Sequence, residues 1–134
     1  MNKTKLLILS AISVIFLMSS CEINEINLDE EIESIDLYPV EVNGKWGYID
    51  VKGNMVIPPK YRGGFDFSEG LAAFISDNGK SGFINKKGEV VIEPEFYVEG
   101  DFENGIAPVW LKSNESANIP YSYIDKTGQV VVNT

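Results

Sequence analysis

From residue 37 onward the chain alternates apolar and polar positions with period two, in short runs cut by glycine turns. Leu37–Val42 alternates and ends at Asn43-Gly44, a pair that tolerates positive φ at both positions and so predicts a hairpin with Lys45–Asp50 as the returning strand. Val51-Lys52-Gly53 supplies a second short turn, with glycine where a left-handed residue is needed, and Asn54–Ile57 is the third strand. Pro58-Pro59 then stops it, because proline cannot donate to a ladder. The predicted unit is a three-stranded meander.

The same pattern returns. At an offset of 35, Gly44, Lys45, Gly47, Ile49, Gly53, Ile57 and Pro59 become Gly79, Lys80, Gly82, Ile84, Gly88, Ile92 and Pro94. At a further offset of 40, Phe83–Gly88 becomes Tyr123–Gly128, and Val91-Ile92 becomes Val131-Val132. A fixed period of about 35 residues is the signature of a stacked array. The fold class expected is all-β, built of tandem three-stranded β-meander repeats in three units at about 37–70, 71–105 and 106–134. Nine strands are expected, with Lys60–Gly70 and Glu95–Gly105 as ordered loops and Lys112–Pro120 as a longer connection. No stretch after the N-terminal apolar segment keeps a helical period for three turns. Glycine inside a strand weakens it, so its recurrence at Gly47 and Gly82 predicts close approach by a neighbouring backbone or aromatic ring. Tyr61, Phe65, Phe67, Phe96 and Phe102 are the candidate partners.

The N-terminus reads differently. Lys3 and Lys5 precede an apolar run, Leu6–Met18, followed by Ser19, Ser20 and the only cysteine, Cys21. A charged start, a short apolar core and small residues at the cut predict a cleaved signal peptide over residues 1–20. The run is shorter than the ~20 apolar residues that span a bilayer. Met18-Ser19-Ser20-Cys21 also resembles the bacterial lipoprotein box, which implies lipid attachment at Cys21. A lone exported cysteine has no disulfide partner in its own chain, and lipidation accounts for it.

Charge narrows the partners. Loss of Lys3 and Lys5 reduces eleven basic side chains to nine against twenty acids, a net charge of −11. Nucleic acid is excluded as an expected partner, because phosphate binding rests on clustered Lys and Arg. Seven acids and no base fall within Glu22–Asp36, so residues 21–36 are expected to form an extended, lipidated acidic tether ahead of a domain over 37–134.

The run Asn43-Gly44-Lys45-Trp46-Gly47-Tyr48-Ile49-Asp50, then Gly53, Val56-Ile57-Pro58-Pro59-Lys60-Tyr61 and Phe67-Ser68-Glu69-Gly70-Leu71-Ala72, resembles the Trp-Gly (WG) β-repeat family of bacterial cell-envelope proteins. Ser81 replaces the tryptophan in the second copy, and Tyr121-Ser122 replace the Trp-Gly pair in the third. The resemblance implies an all-β, non-enzymatic interaction module.

Residue types point the same way. Histidine is absent and the cysteine is assigned to the anchor, which removes Ser-His and Cys-His nucleophiles and the usual zinc ligand sets. Glu93 and Glu95 flank Pro94, and Asp66/Glu69 recur as Asp101/Asn104, so a glycosidase-like carboxylate pair is a distant third reading. Asp50, Asn85 and Asp125 sit at glycine turns beside lysines, and are expected to bond their own backbone rather than a metal. No catalytic residue, metal or cofactor is expected.

Trp46, Tyr48, Tyr61, Trp110 and Tyr121 are the candidate binding residues, because amphipathic rings suit recognition surfaces. The functional expectation is a lipid-anchored scaffold in the bacterial cell envelope, at the outer membrane, that binds another protein. An envelope glycan or peptidoglycan is the alternative ligand.

Overall fold

A computed structural model of the chain describes residues 28–111 and 122–133. Ten strands follow one short helix, α1 (Leu28–Ser34): β1 (Leu37–Val42), β2 (Lys45–Asp50), β3 (Met55–Tyr61), β4 (Gly63–Ser68), β5 (Leu71–Ile75), β6 (Ser81–Asn85), β7 (Val90–Val98), β8 (Ile106–Trp110), β9 (Ser122–Asp125) and β10 (Val130–Asn133). Strands β1–β3 form one antiparallel sheet, and a seven-stranded sheet runs β10-β9-β8-β7-β6-β5-β4. The all-β repeat architecture is the one the sequence predicts. The signal peptide, Cys21, the connection Lys112–Pro120 and Tyr121 lie outside the described residues.

Two expectations need correction. The segments read as loops contribute strand, since β4 lies within Lys60–Gly70 and β7 extends through Glu95–Val98, and the prolines do not stop the third strands, because β3 runs through Pro58-Pro59 to Tyr61 and β7 through Pro94. β4 turns into β5 at Glu69-Gly70, both at positive φ, and Asn104-Gly105 does the same ahead of β8. Asn104-Gly105 is a hairpin dipeptide the strand pattern overlooked, because the apolar residues beside it do not alternate. The acidic segment, expected to be extended throughout, is helical at Leu28–Ser34. Asp29, Glu30 and Glu31 fill the first turn, where carboxylates oppose the helix dipole least. At the other end the Lys86 ammonium donates to the Glu33 and Ile35 carbonyls at 2.8 Å. These contacts, with Lys86 reaching in from the end of β6, offset the repulsion between like charges.

Strand pairing aligns the three units residue by residue. Tyr38 faces Ile49 across β1–β2, Ala72 faces Ile84 across β5–β6, and Ala107 faces Ile124 across β8–β9. Tyr48, Phe83 and Tyr123 are equivalent by the same pairing, opposite Pro39, Ala73 and Pro108. Ile57, Ile92 and Val132 follow, each paired to that aromatic from the third strand. The first hairpin closes through two residues, Asn43 (φ 52) and Gly44 (φ 78), as its sequence predicts. The second needs Ser76–Lys80, held by the Ser76 amide on the Lys80 carbonyl at 2.9 Å.

The core lies between units. One cluster joins Leu37, Tyr48, Ile57 and Tyr61 of the first unit to Ala72, Phe74 and Ile84 of the second. The other joins Leu71, Ala73, Phe83, Ile92, Phe96 and Phe102 of the second to Ala107, Val109 and Ile124 of the third. Each unit therefore has a forward face, carrying the aromatic of the middle strand, and a backward face, carrying the alanine and isoleucine. Alternate side chains leave opposite faces of a strand, which is why Phe83 and Ile84 enter different clusters. Both are buried because the second unit is packed on both sides.

Candidate functional site

Each internal junction uses the same set of contacts. The aromatic of the middle strand is first covered from within its own unit, Phe67 packing edge-on against Tyr48 with ring centroids 5.0 Å apart and Phe102 edge-on against Phe83 at 4.7 Å. The turn glycine of the following unit then lies over the isoleucine of the preceding one. A Cβ on Gly88 would stand 3.2 Å from Ile57 Cγ2, and one on Gly128 would stand 3.1 Å from Ile92 Cγ2. A lysine ties each turn to the segment just ahead of the preceding unit's first strand, Lys126 donating at 2.9 Å to the Glu69 carbonyl before β5 as Lys86 does to Glu33 and Ile35 before β1.

The third unit repeats the forward face without a covering unit among the described residues. Ile57 and Ile92 are 2% and 4% exposed, whereas Val132 at the same position is 41% exposed. Tyr48 and Phe83 are fully buried and Tyr123 is only half-buried. Val130 and Val131 are exposed in the same way as their equivalents Val90 and Val91 in the packed second unit, so the difference is at Val132 and Tyr123. Among the described residues β10 is hydrogen-bonded to β9 alone. Its strand, Val130–Asn133, has neither charge nor proline, whereas β1 carries Pro39 and Glu41 and β3 carries Pro58, Pro59 and Lys60. Charge and proline are the usual protection of a free strand edge. Repeat equivalence alone signals this surface, since Val132 aligns with two buried isoleucines.

The aromatic residues named from sequence separate into core and surface. Tyr48 and Tyr61 are 0% and 6% exposed and belong to the first inter-unit cluster, so they are not available as binding residues. Burial pushes the Tyr48 hydroxyl well above the usual phenol range, and it donates to the Phe65 carbonyl at 2.9 Å. Trp46 and Trp110 are half-buried. Trp110 stands directly across the ladder from Tyr97, which is exposed. The close approach expected at the strand glycines is made by backbone, with Phe74 the ring that meets Gly82.

Carboxylates serve the turns. Asp50 Oδ1 accepts from the Lys52 and Asn54 amides, Asn85 Oδ1 from Lys87 and Glu89, and Asp125 Oδ1 from Thr127 and Gln129. Among the described residues no group of three or more potential ligands could hold a metal ion. Glu69 is held below the usual carboxylate range by the Lys126 ammonium and by the Gly105 amide, which it accepts at 3.0 Å. Asp101 shifts the other way, raised from 3.8 by burial and by its repeat-equivalent Asp66.

A raised carboxyl favours the folded state most when protonated, and that contribution is lost as pH rises through the elevated value. Ionised Asp101 is therefore a small cost at neutral pH. Asp101→Asn is expected to stabilise the protein there by less than about 1 kcal/mol, because the group is largely solvated. The gain should fade as the pH falls to the ordinary aspartate range, which paired thermal melts of variant and parent would check.

Strand order, units stacked in register and an open terminal face together define an all-β repeat module. Residues 46–80 and 82–109 match the family model described as WG containing repeat. Those two stretches carry the repeat that the sequence resembles. No curated protein and no solved structure shows significant similarity to it.

Proposed function

We propose that the protein is a non-catalytic lipoprotein of the bacterial cell envelope, anchored to the outer membrane by a lipid on Cys21, whose repeats bind another protein through the open end of the third unit. The observation that carries this reading is the 41% exposure of Val132 beside its buried equivalents Ile57 and Ile92. An apolar face next to an unprotected edge strand suits protein recognition, where backbone pairing adds affinity and side-chain pockets add selectivity. Support for the anchor comes from Lys3, Lys5, the Leu6–Met18 run and Met18–Cys21. Among the described residues no helix is long and apolar enough to cross a membrane.

The test is cross-linking in the native host, with full-length wild type compared with Val132→Glu and Cys21→Ser. A protein partner should be captured by the wild type and reduced about tenfold or more by the buried charge in Val132→Glu. Cys21→Ser should leave the membrane fraction. Recovery of the wild type alone, or of a partner indifferent to Val132→Glu, would refute the assignment. The glycan alternative is favoured by one feature, the cross-strand pair of Tyr97 and Trp110. It predicts glycan retention that is lost on Tyr97→Ala.

A further inference from the structure

We propose that the open forward face of the third unit accepts a WG-type repeat unit of a different polypeptide, and that a second copy of this chain is excluded from that place. The proposal rests on the protein-binding reading above and names the partner's chemistry. The occupant is inferred from an interface the molecule already contains twice, because docking there would continue the first-to-second and second-to-third junctions in register.

Those junctions state what a docking unit must present. Its backward face carries a small residue opposite an isoleucine: Ala72 with Ile84, and Ala107 with Ile124, all of which are fully buried. The small side chain lets one sheet approach the aromatic of the preceding unit. A glycine turn then covers the isoleucine position, as Gly88 does on Ile57 and Gly128 on Ile92. A lysine two residues before that glycine, Lys86 or Lys126, reaches back to the preceding segment's carbonyls. In the third unit the receiving positions are Tyr123, Val132, Ile106 and Pro108.

This chain's own first unit fails on two of the three requirements. Tyr38 occupies the alanine position and is 47% exposed, and Val51 occupies the lysine position and is 79% exposed. Gly53 is retained, with φ 85 and open space where a Cβ would be. A tyrosine at the closest point of approach holds the sheets apart, and valine cannot donate to a carbonyl. Head-to-tail contacts do not close on themselves and propagate into fibres, so blocking them at the first unit while leaving the third open keeps the chain from polymerising.

The prediction is tested by restoring the missing features in this chain. One protein is the full-length chain with Cys21→Ser, so that it is not lipidated. The other carries Cys21→Ser with Tyr38→Ala and Val51→Lys to complete its backward face, and Val132→Glu to block its own forward face. All three added changes lie at exposed positions, so both proteins should show the same circular dichroism. Sedimentation of the mixture should reveal a one-to-one complex with Kd on the order of 10 µM, while each protein alone remains a monomer. Placing Val132→Glu on the first protein should abolish it, and restoring Val51 on the second should weaken it several-fold.

Self-association of the first protein through Val132 would overturn the proposal, since it would show that a second copy is accepted. Absence of any complex at concentrations about tenfold above the expected Kd would also overturn it. In that case a Val132-dependent partner still captured from cells would leave the broader binding assignment standing.

Discussion

Gly82→Val is expected to destabilise the fold by about 3 kcal/mol or more, and Gly47→Val by nearly as much. A Cβ at Gly82 would lie 2.4 Å from the Ile92 carbonyl oxygen, 3.0 Å from the Phe74 ring and 3.0 Å from the Pro94 nitrogen. At Gly47 the nearest atoms are the Ile57 oxygen at 2.5 Å and the Pro59 nitrogen at 2.7 Å. These obstacles are mostly backbone and cannot rotate away. They arise from a register shift, because Trp46 pairs with Tyr61 while Tyr48 pairs with Ile57, so the proline segment of β3 folds over the glycine between them.

Overpacking usually costs about 1–3 kcal/mol, and displacement of a strand at the centre of an inter-unit core belongs at or above the upper end of that range. A small domain has only about 5–15 kcal/mol in total. Urea titration followed by circular dichroism would measure the loss. A variant that unfolds cooperatively within about 1 kcal/mol of wild type would contradict the packing described. The third unit supplies the control. Ser122 stands at the equivalent position and pairs directly with Asn133, without the intervening bulge, so a Cβ is accommodated there.

The second large effect is a difference between equivalent residues. Phe83→Ala should cost about 3–5 kcal/mol, because the ring is 1% exposed, covered by Phe102 of its own unit and clustered with Ala107, Val109 and Ile124 of the third. Tyr123→Ala should cost only about 1–2 kcal/mol, because half of what covers Phe83 is missing over Tyr123 and less burial is forfeited. The comparison isolates the open face, since both residues occupy one repeat position and one middle strand. Equal losses in denaturant titrations would mean that Tyr123 is covered as well, and the binding assignment would lose its basis. Addition of the proposed docking protein should raise the stability of wild type but not of Val132→Glu, because a ligand that binds only the folded state adds RT ln(1 + [L]/Kd).

Much of this was legible from residues alone. The Asn43-Gly44 hairpin, the glycine turns and the self-capping of Asp50, Asn85 and Asp125 are decided within five residues of chain. The strand glycines, too, announced a close neighbour. Less legible were the strands β4 and the end of β7, because Gly63-Gly64 leaves only four alternating residues in the one, and the other follows Pro94 with three consecutive apolar residues, Phe96, Tyr97 and Val98. They are held as strands by pairing with β5 and β8. α1 was missed for a related reason, since its stability draws on the distant Lys86.

Recurrence of a pattern establishes that the units are alike, and period two establishes that each has two faces. Neither says which face meets which neighbour. Leu71–Phe74 and Ser81–Ile84 are buried at every position, so the second unit's outward and inward sides are indistinguishable by exposure or by polarity. The candidate aromatics show the consequence: Tyr48 and Tyr61 are core, while the exposed end is made by Val132 and Tyr123, residues of no special chemistry. Local turns follow from φ preferences and short hydrogen bonds, which are properties of a few adjacent residues. Exposure depends on what packs against a side chain from elsewhere, and only the stacking of whole units decides that.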